Sequence, residues 1–262
     1  MRRFITTALA AAAAVTLLAS PFAGPAIAAP AEAAVPNEVA VPAVPTEDAT
    51  TTPVVFVHGR NAPPAVWGTM EAAFEAQGYP AGRLFAFDYD TSQSTNETVA
   101  GQLSAYVDQV LRQSGAGQVD IVAHSLGSLS ARWYAKFGAG GGKVRNLATL
   151  GGPNHGTDLA WACSLWDQGC RDMTPGSYVV SHLDDGSETP APVRYFAFWS
   201  PCDEQILPNA SAELDGAADV RTGCLKHNAL LTDPTVAAQV IAALTDAPAV
   251  GAHTPGSGAH DG

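Results

Sequence analysis

Short apolar runs alternate with longer amphipathic stretches through the middle of the chain. Val54–Val57, Leu84–Asp88, Val119–Ala123, Leu147–Leu150 and Val193–Trp199 read as strands, with a last one near Val220. Such brief runs, rich in β-branched and aromatic residues, fit strands buried on both faces. Between them, Pro64–Gln77 fits a helix ended by Gly78, and Thr95–Gln113 sets Val99, Leu103, Tyr106, Val107 and Val110 at helical spacing. Further helices are expected from Ser125 to about Phe137 and from about Thr235 to Leu244. This alternation predicts an α/β fold, a mostly parallel sheet with helices on both faces. In such sheets the chemistry sits beyond the carboxyl ends of the strands.

The two ends break the pattern. Arg2 and Arg3 precede the apolar run Ile5–Leu18, and Ala26-Ile27-Ala28 gives a small-x-small cleavage pattern, so residues 1–28 read as a signal peptide. The run is shorter than the ~20 residues a spanning helix needs, and the twin-arginine motif is incomplete. Residues 29–52 are mostly Ala, Pro, Val and Glu without a period, as in a propeptide or linker. The folded domain is then expected over 53–246, followed by a disordered tail at 247–262 that carries His253 and His260. No second apolar stretch of spanning length follows the first, so the mature chain is expected to be secreted and extracellular.

Nearly half of the 262 residues are hydrophobic, enough to bury a core without metal or partner, and a monomer is expected. The net charge of −12 excludes the basic footprint of nucleic-acid binding and disfavours anchoring to an anionic membrane surface. Four cysteines in the mature region of a secreted chain suggest disulfides. Order along the chain favours Cys163–Cys170 and Cys202–Cys224 among three possible pairings. A zinc site is disfavoured because no C-x-x-C pair is present, and no metal is expected.

Candidate chemistry clusters at strand ends. Ala123-His124-Ser125-Leu126-Gly127 follows one predicted strand and opens a helix, the context of a nucleophile elbow that exposes a serine hydroxyl. The positions two before and two after the serine must be small, because backbones approach there; Gly127 meets this fully and Ala123 nearly so. His58-Gly59-Arg60-Asn61 follows the first strand. Its place suggests an oxyanion hole made by the backbone N–H groups of Arg60 and Leu126. His58 precedes the serine and reads as a structural hydrogen-bonding residue. The acid and base of this arrangement follow the serine in that order. Asp203, just past the strand Val193–Trp199, is the expected acid, with Glu204 the nearest rival and Asp215 and Asp219 weaker ones. His227 is the expected base; His155 and His182 precede the acid and are assigned to loop structure or the cleft rim. A Cys202–Cys224 bond would tie together the loops carrying acid and base. Pro63, Val66, Trp67, Leu126 and Trp166 are candidates for an acyl pocket.

The series Val-Val-Phe-Val-His-Gly (54–59), Asp-Ile-Val-Ala-His-Ser-Leu-Gly (120–127) and Leu-Gly-Gly-Pro-Asn-His-Gly-Thr (150–157) resembles the class 2 bacterial lipases. These include secreted actinomycete triacylglycerol lipases and the small lipases of bacilli. The resemblance spans roughly Pro53 to Leu244. It implies a compact α/β-hydrolase fold and hydrolysis of acylglycerol esters, possible at a lipid–water interface, without a cofactor. Ser125, Asp203 and His227 match the family's triad by order and surroundings. Residues 158–192 depart from the smallest members by their length. With Trp161, Leu165, Trp166 and the Cys163–Cys170 pair, the segment reads as a flap or as a fixed loop; closure by a disulfide favours the fixed loop.

Overall fold

The computed structural model describes residues 52–92 and 95–245. The expected signal peptide, nearly all of the expected 29–52 linker and the expected 247–262 tail lie outside the described residues. Within them, β1 (Val54–Val57), β2 (Leu84–Phe87), β3 (Val119–His124), β4 (Val144–Leu150), β5 (Arg194–Trp199) and β6 (Ala218–Arg221) form one sheet. Its order is β2-β1-β3-β4-β5-β6, and every pairing is parallel.

The period of two along β1 divides the core. Val55 and Val57 pack with Leu103, Val107, Ile121 and Tyr134 on one face. Val54 and Phe56 pack with Trp67, Phe74, Val122 and Val240 on the other. The first face is covered by α2 (Asn96–Ser114) and α3 (Leu126–Phe137), the second by α1 (Gly68–Ala76) and α7 (Pro234–Thr245). Helix α2 shows how local chemistry sets its ends. Thr95 accepts the N–H of Thr98 through its hydroxyl, and Gly115 closes the helix at φ 68°, a left-handed conformation that favours glycine.

At the amino-terminal end of the strands, Asp120 is buried and would be costly as a lone charge. It is paired with the Arg145 guanidinium and accepts Asn146 Nδ2 at 2.9 Å. Arg145 also donates to the Leu244 carbonyl at 2.9 Å, tying α7 to the same end of the sheet.

The expected helix at 64–77 is instead a 3-10 turn, Pro64–Trp67, followed by α1. Strand β4 begins three residues before the expected Leu147, just after the one-turn helix α4 (Gly140–Lys143). The 158–192 segment holds the largest difference. It contains a 3-10 turn (Asp158–Ala162), α5 (Gln168–Met173) and α6 (Tyr178–Asp184). Such short helices have little apolar periodicity; side-chain caps start them, Asp167 accepting from Cys170 N and Ser177 from Val180 N. Their apolar faces join Leu126 and Leu129 of α3 in a third cluster.

Candidate active site

Ser125 stands between β3 and α3 at φ 54° and ψ −130°. A serine in this sparsely populated region is held there by its surroundings. Gly127 shows why the turn is so tight: a Cβ there would lie 2.5 Å from the His58 carbonyl oxygen and 2.7 Å from that of Val57. Only glycine fits that approach. Gly59 is similarly close, since a Cβ on it would lie 2.8 Å from Ser125 Cβ. The loop after β1 therefore passes directly beside the serine.

That loop is fixed by its neighbours. Tyr89 Oη donates to the His58 carbonyl at 2.6 Å, and Asn61 N donates to Thr91 Oγ1 at 2.9 Å. The His58 ring stacks on Tyr89 at 4.4 Å, with Nδ1 3.0 Å from the Gly59 oxygen. Burial lowers its pKa, so His58 is a neutral packing residue. Arg60 belongs to this loop, and Leu126 opens α3, where the first N–H groups of a helix lack intrahelical partners.

Asp203 and His227 come from the loops after β5 and β6. Asp203 Oδ2 is 2.7 Å from His227 Nδ1, while Oδ1 accepts the N–H groups of Gln205 at 2.8 Å and Ile206 at 3.0 Å. Both groups are almost wholly buried. The imidazole Nε2 is buried without a hydrogen-bond partner. Glu204 holds His227 differently, its carboxylate accepting the backbone N–H of that residue at 3.1 Å. Asp219 instead accepts the N–H of Leu214.

The two loops are clamped. Cys202 pairs with Cys224, and Cys163 with Cys170. Ser200 Oγ lies 2.6 Å from the Leu225 carbonyl and accepts the N–H groups of Leu225 at 2.9 Å and Cys202 at 3.1 Å.

Ser125, His227 and Arg60 line one cavity of about 810 Å³. Its apolar wall includes Pro63, Val66, Leu159, Ala160, Met173, Ile206 and Leu231. Of the five acyl-pocket candidates only Pro63 and Val66 line it. Trp67 is core, 5.1 Å from Phe56; Leu126 packs in the third cluster; and Trp166 is 68% exposed. Pattern alone did not separate wall from core, because both are apolar.

His124 has a contact that the sequence did not signal. Its ring lies 4.5 Å from that of His227, and Nε2 is 3.4 Å from the His227 carbonyl oxygen. Burial, with the His227 ring beside it, holds its pKa well below the ordinary imidazole value. It therefore packs against His227 without adding positive charge. His155 and His182 do not line the cavity; His155 pairs with Glu188 at 3.1 Å, and His182 Nδ1 is 2.8 Å from the Tyr178 oxygen.

Among the described residues, His155, Asp184 and Glu188 bring three potential metal-ligand atoms within 4.8 Å of one another. These groups already have protein partners: the His155–Glu188 pair, and Arg132 Nη2 at 3.7 Å from Asp184.

The parallel sheet, its two helical layers and a serine in a strained strand-to-helix turn are those of the α/β-hydrolase class. Residues 51–210 match the family described as lipase (class 2), and the chain belongs to that family. It is 33% identical over 70 residues to a triacylglycerol lipase of Pseudomonas fragi, covering 27% of this chain and 23% of that protein. It is 29% identical over 123 residues to a triacylglycerol lipase of Pseudarthrobacter phenanthrenivorans, covering 44% of this chain and 37% of that protein. The matched stretches thus span a minority of each relative's length. The mature form of Bacillus licheniformis lipase BlEst2 shares the fold with a TM-score of 0.66 at 18% identity, covering 74% of this chain and 92% of that one.

Proposed function

We propose that this chain is a secreted lipase that hydrolyses acylglycerol esters through Ser125, His227 and Asp203. The observation that carries this reading is the buried His227, with Nδ1 on Asp203 at 2.7 Å and Nε2 free, lining the same cavity as Ser125. Ser125 Oγ attacks the ester carbonyl while His227 Nε2 takes its proton. The proton passes to the departing alcohol, leaving an acyl-enzyme. Water, deprotonated by the same nitrogen, then releases the acid. The N–H groups of Arg60 and Leu126 stabilise the oxyanion, and Asp203 stabilises the imidazolium. Two disulfides support an oxidising, extracellular setting, as does the pattern of residues 1–28.

The cavity falls in the upper part of the ~300–1,000 Å³ range of small-molecule sites, with room for an acyl ester. We expect the enzyme to hydrolyse both long-chain p-nitrophenyl esters and emulsified triglyceride. Activity confined to short soluble esters would make it a carboxylesterase. Activity on polyesters or transfer to alcohols, with none on triglyceride, would reassign the acyl chemistry.

Action at a lipid surface is supported by one segment. Leu159, Trp161, Leu165 and Trp166 are exposed, on the stretch whose Leu159, Ala160 and Cys163 line the cavity. The stretch is fixed by Cys163–Cys170 and by Asp172, which accepts Asn96 N at 2.8 Å and Nδ2 at 2.9 Å. Each such side chain contributes ~1.5–3 kcal/mol when fully buried in an apolar phase. The triple variant Trp161→Ser/Leu165→Ser/Trp166→Ser should therefore lose at least tenfold in emulsion hydrolysis, roughly one lost side chain's worth, and keep its rate on soluble p-nitrophenyl butyrate. Equal losses on both substrates would reject a surface-binding role.

A further inference from the structure

We infer that Asp167 is a positioning residue for the oxyanion loop, acting through the side chain of Arg60. The inference rests on the reading of Arg60 N–H as an oxyanion donor. Asp167 Oδ2 accepts Arg60 Nε at 2.9 Å and Nη2 at 2.7 Å, a forked ion pair. Its side chain is only 6% exposed, and that of Arg60 is 29% exposed. Such a pair is screened far less than a surface one. The other oxygen, Oδ1, accepts Cys170 N at 2.9 Å and so caps α5.

One carboxylate therefore joins the loop beside Ser125 to the disulfide-closed wall of the cavity. Its own place is set by backbone: Asp167 N donates to the Cys163 carbonyl at 3.1 Å, and Gln168 N to that of Ser92 at 3.0 Å. Gly169 allows this approach, since a Cβ there would lie 2.5 Å from the Thr91 oxygen. Thr91 in turn accepts Asn61 N. The residue after Arg60 is thus held from the β2 side and Arg60 itself from the α5 side. Together they fix the Arg60 backbone, and with it the direction of the Arg60 N–H.

Oxyanion donors act in the transition state, so a misdirected N–H lowers kcat rather than substrate affinity. Asp167→Asn isolates this effect, because asparagine still caps α5 through its oxygen and only the charged fork is lost. A misplacement near 1 Å can cost on the order of 10²-fold. We expect kcat on p-nitrophenyl butyrate to fall roughly ten- to a hundredfold, with KM within about twofold.

The second readout is inhibition by an alkylboronic acid. Ser125 Oγ bonds to boron, its proton goes to His227, and a boronate oxygen occupies the oxyanion site. Its inhibition constant should rise by the same factor as kcat falls. Asp167→Ser, also a capping residue, should behave alike. The double variant Arg60→Met/Asp167→Asn leaves no unpaired charge and should lose no more than Asp167→Asn alone.

Unchanged kcat in Asp167→Asn would overturn the inference. So would a kcat loss without weaker boronate binding, or a much larger loss in the double variant. Failure of the underlying reading looks different: wild-type enzyme would then show no more esterase activity than Ser125→Ala, and the inference would fall with it.

Discussion

Replacing Ser125 with alanine is expected to lower kcat for p-nitrophenyl butyrate by roughly 10⁶-fold, about 8 kcal/mol of transition-state stabilisation. Alanine keeps the Cβ and tolerates the same backbone as serine, so the φ 54° turn and the start of α3 remain. Only the hydroxyl oxygen proposed as the nucleophile is lost. The N–H groups around the site stay in place, so a residual ~10³–10⁴-fold rate over uncatalysed hydrolysis should persist. Initial rates at saturating ester, with circular dichroism to establish the fold, check this. A variant retaining a tenth of the wild-type rate would show that another group attacks the ester.

Asp203→Asn is expected to lower kcat by about 10⁴-fold, near 5 kcal/mol, with little change in melting temperature. The hydrogen bonds around Asp203 explain why so small a change has so large an effect. Oδ1 receives the N–H groups of Gln205 and Ile206, so the asparagine oxygen settles there. Its NH₂ then faces His227 Nδ1, where Oδ2 now lies at 2.7 Å. A donor in that place forces Nδ1 to accept, puts the imidazole proton on Nε2 and removes the atom that must take the serine proton. Steady-state kinetics of the purified variant decide the matter. A loss under tenfold would mean that Glu204, which already holds the His227 N–H, serves as the acid.

The strands were legible wherever burial on both faces made them uninterrupted apolar runs; β1 is found at the expected Val54–Val57. Helix α2 was legible from its stripe of Val99, Leu103, Val107 and Val110. Helices α5 and α6 were not, because each is barely two turns long. Their stability comes from Asp167, Ser177, the Cys163–Cys170 bond and burial under α3, not from a pattern of their own. Ser125, Asp203 and His227 stood out because each follows a strand end in a set order, and the fold brings the last two into contact. The groups that hold them were hidden for a geometric reason. His124 meets a residue 103 positions away, and Arg60 one 107 positions away. Nothing local in either segment records such a partner.

The sheet also divides its tasks by end. The cavity and its loops lie past the carboxyl ends of the strands, whereas the Asp120–Arg145–Asn146 cluster lies at their beginnings and fastens the carbonyl of Leu244. A solid support or fusion partner attached on that second side would leave the cavity mouth facing bulk substrate. Selection for heat tolerance likewise has a region to work on that is remote from the serine, so ruggedness and turnover need not compete for the same residues.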